Sequence, residues 1–206
     1  MAQKKSNTPK TSPKPAAKKT YADTVVNPDL PPPKQNERRE AIKAAKEQGF
    51  VGGIVIHCSA SNNPKHDNAA TIDRWHKARG WKGIGYHWFI RRDGKLETGR
   101  PIDSDPYLDK DEQGAHVLGH NLDYLGVCLH GLQESDFTVS QFATLKDLIE
   151  NQVLTKNKDA EILGHNYFTD KKDCPCFNWV AWVKKNFPKN VPVDVPARCT
   201  ARYEKG

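Results

Sequence analysis

The first fifty residues hold few apolar positions among recurring lysines and prolines, and only from Phe50 onward does the apolar pattern acquire a period. Phe50-Val-Gly-Gly-Ile-Val-Ile-His57 is a β-branched run that reads as a strand, its glycines marking backbone crowding or a bulge. Strand alternation puts Val55, His57 and Ser59 on one face and Ile54, Ile56 and Cys58 on the other, which leaves His57 at a strand end. Thr71 reads as the N-cap of a short helix running through Trp75 and Ala78, with Gly80 as its stop. Gly85 to Arg91 predicts a second strand, Arg92-Asp93-Gly94 a hairpin turn, and Lys95 to Thr98 the returning strand. Leu125 to Leu129 reads as a short buried strand. Thr138 opens a helix whose Phe142, Leu145, Leu148 and Ile149 recur at helical spacing, and Phe177 to Phe187 reads as a last amphipathic helix. Strands interleaved with helices predict an α/β domain.

Domain organisation follows the same pattern. Residues 1–36, rich in Lys, Pro, Ser, Thr and Asn, cannot bury enough apolar surface to offset their ordering entropy and read as a disordered or extended tail. Residues 37–49 read as a charged linking helix, 50–188 as the domain proper and 189–206 as a C-terminal extension. The net charge of +7 belongs mostly to the tail, because Lys4, Lys5, Lys10, Lys14, Lys18 and Lys19 stand there with no acid among the first twenty residues. A domain-wide nucleic-acid surface is therefore not expected. A tail of that charge suits an anionic surface or a protein partner. The start lacks the apolar stretch of a secretory signal, and no run approaches the roughly 18–20 apolar residues of a membrane span. Five cysteines, an odd number, point to reduced thiols or metal ligation rather than to a disulfide framework.

Three places carry groups suited to chemistry. His57, His165 and either Cys174 or Cys176 offer two imidazoles and a thiolate, a set that borderline Zn²⁺ accepts, with a fourth position left for water. Eight histidines allow many such trios, so spacing alone does not select this one. In Gly85-Tyr86-His87-Trp88-Phe89-Ile90, alternation sends Tyr86 and Trp88 to one face and His87 and Phe89 to the other, so at most one of Tyr86 and His87 enters a given pocket. A tyrosine hydroxyl there can donate to a developing oxyanion. In Lys171-Lys172-Asp173-Cys174-Pro175-Cys176, Lys172 places a cation two residues from a candidate ligand, where it can neutralise charge on a carbonyl oxygen.

IHCSA (56–60), RWHKARGWKGIGYHWFIRRDG (74–94), AHVLGHN (115–121), GVCLHG (126–131), GH (164–165) and KDCPCF (172–177) then follow one another in an order that resembles the zinc-dependent N-acetylmuramoyl-L-alanine amidases. That group shares its fold with peptidoglycan recognition proteins, and its phage endolysin branch is the most similar. The resemblance spans roughly residues 50 to 187. It implies a single mixed central β-sheet flanked by helices, a bound Zn²⁺, and bacterial peptidoglycan as substrate. It also implies His57, His165 and Cys174 as zinc ligands, Tyr86 and Lys172 as the catalytic pair, and His116 and Asn121 as substrate-binding residues. The reaction implied is hydrolysis of the amide between N-acetylmuramic acid and L-alanine, by a lysin made in a bacterial host's cytoplasm and released to the wall or carried in a virion. A wall-binding module without hydrolysis, or a tail-anchored virion or effector protein carrying the amidase as cargo, is the alternative. The chain departs from the family after Asn121, where Tyr124 replaces a usual serine; a bulky side chain there is expected to reshape one groove wall.

Overall fold

A computed structural model describes residues 51–203, together with Glu40 and Lys43. Those two are helical; the rest of the expected linking helix at 37–49, and the whole of 1–36, lie outside the described residues.

The strands are β1 (Gly53–Cys58), β2 (Trp88–Ile90), β3 (Leu96–Thr98), β4 (Tyr124–Leu129) and β5 (Glu161–Gly164). They form one mixed sheet in the order β3-β2-β4-β1-β5, in which β3 alone runs antiparallel to its neighbour. The two central strands β1 and β4 are buried along their whole length, as parallel strands covered on both faces must be, and their sequences are correspondingly apolar without a polar face. Edge strand β3 follows the turn at Arg92-Asp93-Gly94, where Gly94 takes φ +87°, and is largely exposed. Gly53 is the crowding expected of the first run: a Cβ there would lie 1.9 Å from the Glu161 carbonyl oxygen of β5.

Helix α1 (Ala69–Ala78) buries Ile72 against Phe89 and Cys128 on one face of the sheet. Its N-cap is Asn68, whose side chain accepts from the Thr71 N–H at 2.8 Å; Thr71 is a first-turn residue rather than the cap. Helix α2 (Val139–Leu148) opens as expected at Thr138, in a reciprocal capping box with Gln141, and runs on as a π-turn over Ile149–Val153. The Gln141 amide, fully buried, donates to the carbonyls of Ile90 and His130 and so ties α2 to the ends of β2 and β4. Helix α3 (Trp179–Asn186) starts two residues later than the sequence suggests, capped by Asn178, and meets α2 through Phe142, Trp182 and Phe177. The four-residue strand β5 had no signal of its own beyond two apolar residues.

The second strand is shorter than 85–91. The consecutive carbonyls of Tyr86 and His87 both accept from the β3 end, from Arg100 N–H at 2.8 Å and Gly99 N–H at 2.7 Å. Consecutive carbonyls of a regular strand point to opposite sides, so alternation fails here. As a result Tyr86 packs with Phe89 and Cys128 rather than with Trp88, which joins the main core.

Candidate metal centre

Parallel pairing brings the first two candidate ligands together. Ile56 of β1 stands opposite Gly164 of β5, so His57 and His165, one residue further on, project from the carboxyl ends of adjacent strands, where open α/β sheets place their ligand sites. Their ring centroids lie 4.6 Å apart. Cys174 arrives from the loop after β5, held by the Asn166 N–H, which donates to the Cys174 carbonyl at 2.8 Å. The donor atoms of His57, His165 and Cys174 all lie within 4.8 Å of one another, and Cys174 Sγ is 3.8 Å from His57 Nδ1. Two ligands of one tetrahedral zinc stand about 3.3–3.8 Å apart, given metal–nitrogen and metal–sulfur bonds of about 2.0 and 2.3 Å.

Protonation suits a metal as well. Burial, aided by the charge of Lys172, holds His165 down to about 4, and burial with the neighbouring His116 and His165 holds His57 well below its ordinary value, so both imidazoles are neutral at neutral pH. The hydrogen-bond chain behind His57 sets its tautomer. His116 Nε2 lies 3.1 Å from the Tyr124 carbonyl, which can only accept, so Nε2 carries the proton and His116 Nδ1 is left as an acceptor. His57 Nε2, 3.1 Å from that Nδ1, must then donate, which turns the lone pair of His57 Nδ1 toward Cys174. Gly126 leaves room for this relay: a Cβ there would meet the His116 ring at 2.8 Å.

The two cysteines separate clearly. Cys174 Sγ receives the Cys58 N–H at 3.2 Å, a donor suited to a thiolate. Cys176 Sγ instead faces Cys58 Sγ at 3.2 Å, and that contact together with burial pushes the Cys176 thiol up.

The Tyr86 ring packs 4.9 Å from the His57 ring, whereas His87 is turned away, its Nδ1 accepting from the Gly126 N–H and its Nε2 donating to the Glu112 carbonyl. Lys172 is exposed, near enough for its charge to lower both His57 and His165. His116 is buried behind His57, and the Asn121 side chain accepts from the N–H groups of His116 and Val117 at 2.8 and 2.9 Å, bracing that loop. Tyr124 does not form a groove wall. It is 2% exposed, its hydroxyl donates to Glu161 at 2.9 Å, and its ring supports Phe168 from below.

Three residues without any motif complete the support. Asn166 follows His165, binds the Cys174 carbonyl, and accepts from the Trp179 indole at 2.8 Å. Arg198, in the C-terminal extension, donates to the carbonyls of Asn166 and Tyr167 at 2.9 and 2.6 Å, while Arg202 pairs with Asp173 at 2.8 Å. No spacing rule marks such backbone-directed contacts.

The profile of the family described as N-acetylmuramoyl-L-alanine amidase matches residues 47–177. An endolysin of Klebsiella phage KP32 is 35% identical over 139 residues, covering 65% of this chain and 85% of its own. The solved N-acetylmuramoyl-L-alanine amidase LysC from Clostridium intestinale URNW is 26% identical with a TM-score of 0.52, over 76% of this chain and 87% of its own. Drosophila PGRP-LB, 23% identical over 72% of this chain and 87% of its own, shares the fold with a TM-score of 0.57.

Proposed function

Because this chain belongs to the N-acetylmuramoyl-L-alanine amidase family, we propose that His57, His165 and Cys174 hold a zinc ion at which it performs its hydrolysis of peptidoglycan, with Tyr86 and Lys172 as the catalytic pair. The bond cut joins N-acetylmuramic acid to the L-alanine of the stem peptide. The observation that carries the site is the convergence of two neutral imidazoles and one N–H-supported sulfur within 4.8 Å at the carboxyl end of the sheet. A complete ligand set of this kind favours hydrolysis over wall recognition alone.

Zinc bound there supplies an activated water near neutral pH and a Lewis acid for the carbonyl. The chain's own groups do the rest. Tyr86, beside His57, and Lys172, at the open side, donate to the oxygen on which charge develops as the amide carbonyl becomes tetrahedral. His116 fixes the His57 ring, and with Asn121 it shapes the loop at 115–122 through which both residues act on substrate binding.

With purified protein and isolated peptidoglycan, the expected products are stem peptides bearing a free L-alanine amine, seen by mass spectrometry, and a strong chelator stops their release. New reducing sugar ends formed in the presence of chelator would instead mark a glycosidase. Replacing His116 by alanine is expected to weaken zinc retention roughly 10–100-fold, as loss of a hydrogen-bonded support behind a ligand does. Chelator competition measures it, and unchanged affinity would remove His116 from the relay.

Relatives described as phage endolysins support synthesis in a bacterial cytoplasm followed by action on the wall. Among the described residues no helix is long and apolar enough to cross a membrane. The lysine-rich segment 1–36 serves in this reading as a tether to an anionic surface or a protein partner, while 50–188 forms the catalytic domain. Deleting 1–36 is expected to leave hydrolysis of soluble wall fragments intact and to reduce retention on intact sacculi, measured by co-sedimentation; unchanged retention sinks the tether.

A further inference from the structure

Directly behind the metal trio two thiols face each other. Cys58 follows ligand His57 on β1, and Cys176 follows Cys174 by two residues. Their sulfurs are 3.2 Å apart, against about 2.05 Å in a disulfide, so a movement of about 1 Å joins them. Neither belongs to the trio, which draws its sulfur from Cys174. The chain holds Cys176 in place firmly. Its N–H donates to the Asp173 carbonyl at 2.8 Å, and its φ of +69° is a left-handed value that a non-glycine residue keeps only when its surroundings demand it. That turn aims the side chain back at β1. Cys58 is 6% exposed and Cys176 half-buried, so the pair is reached from the Cys176 side. The remaining cysteines are placed otherwise: Cys128 and Cys199 are wholly buried, with sulfurs directed at the Leu129 and Asn166 carbonyls.

We propose that Cys58 and Cys176 are a disulfide site, reduced where the protein is made and closed in an oxidising medium, where the bond ties the strand carrying His57 to the loop carrying Cys174. The oxidant is a small disulfide. A thiolate of the pair attacks one of its sulfurs, breaking that S–S bond and releasing one small thiol. The second cysteine then displaces the other half, forming the protein disulfide, and the two protons lost by the cysteines end on the two released thiols. Cys174 is a poor competitor, since its sulfur is engaged with the Cys58 N–H and His57, and a bridge to Cys176 would have to close across a single proline. The site stands on thiol geometry and does not depend on the amidase reading.

The test uses the full chain with zinc added. Protein is held overnight with oxidised glutathione, blocked with N-ethylmaleimide, digested without reductant and mapped by mass spectrometry. The expected result is one cross-linked pair of peptides containing Cys58 and Cys176, lighter by two hydrogens than their sum, with Cys174 uncrosslinked and zinc retained. Oxidation should raise the midpoint of thermal unfolding by roughly 5–15 °C, because the bond closes a very long loop. A Cys176→Ser variant should keep the reduced protein's hydrolysis rate and lose both the cross-link and the oxidation-dependent rise. Free Cys58 and Cys176 after oxidation, separate glutathione adducts on them, or a bridge to Cys174 with release of zinc would each overturn the proposal.

Discussion

Replacing Cys174 by alanine is expected to cost two to three orders of magnitude in zinc affinity and to remove peptidoglycan hydrolysis, while Cys176→Ala retains both. The magnitude comes from sharing: four-ligand zinc sites gain roughly 10–16 kcal/mol, so one ligand's part is about 2.5–4 kcal/mol. The direction comes from geometry. Only the Cys174 sulfur lies beside His57 Nδ1, at 3.8 Å, and receives a backbone N–H, at 3.2 Å. Cys176 points at Cys58 on the far side of the loop. Zinc content after dialysis against a graded chelator, measured alongside release of free L-alanine amines, separates the two variants. If Cys176→Ala emptied the site and Cys174→Ala did not, the ligand would be reassigned.

The second large effect concerns the proposed catalytic pair. Tyr86→Phe and Lys172→Met should each lower kcat by about 10²- to 10³-fold, the range found for removing one donor to a developing oxyanion, with little change in KM or zinc content. Tyr86 stands in van der Waals reach of the His57 ring, and burial pushes its hydroxyl well above the usual tyrosine range, so it acts as a neutral donor. Lys172 is exposed, and its field already reaches both candidate histidine ligands. Lys172→Arg, which keeps the charge, should recover part of the loss. A Tyr86→Phe protein with full kcat would leave the oxyanion to the metal and Lys172 alone.

Much of this was legible in the chain. The β-branched run ending at His57, the hairpin at Arg92-Asp93-Gly94 and the helix opening at Thr138 stand where local propensity and turn chemistry put them, because each is decided by a few neighbouring residues. The cap of α1 moved from Thr71 to Asn68, both good capping types three positions apart, and only the hydrogen bond selects between them. Strand β5 was not visible because Glu161 to Gly164 is too short to show a period; its pairing with β1 creates it. Tyr86 changed faces because the carbonyls of residues 86 and 87 both turn toward the segment after β3, a long-range pairing that alternation cannot foresee.

The sequence by itself determined the class of fold and the order of the motifs, since these rest on local patterns, and its resemblance to the family singled out His57, His165 and Cys174 among many possible ligand sets. Which ligands meet was decided by the sheet. Parallel pairing of β1 with β5 sets His57 beside His165 across more than a hundred residues of chain. The turn after Asp173 sends Cys174 inward to them and Cys176 to Cys58. The structure also places His116 behind His57, where it fixes the His57 tautomer, because a buried imidazole must satisfy both nitrogens and the Tyr124 carbonyl and His57 are the groups within reach.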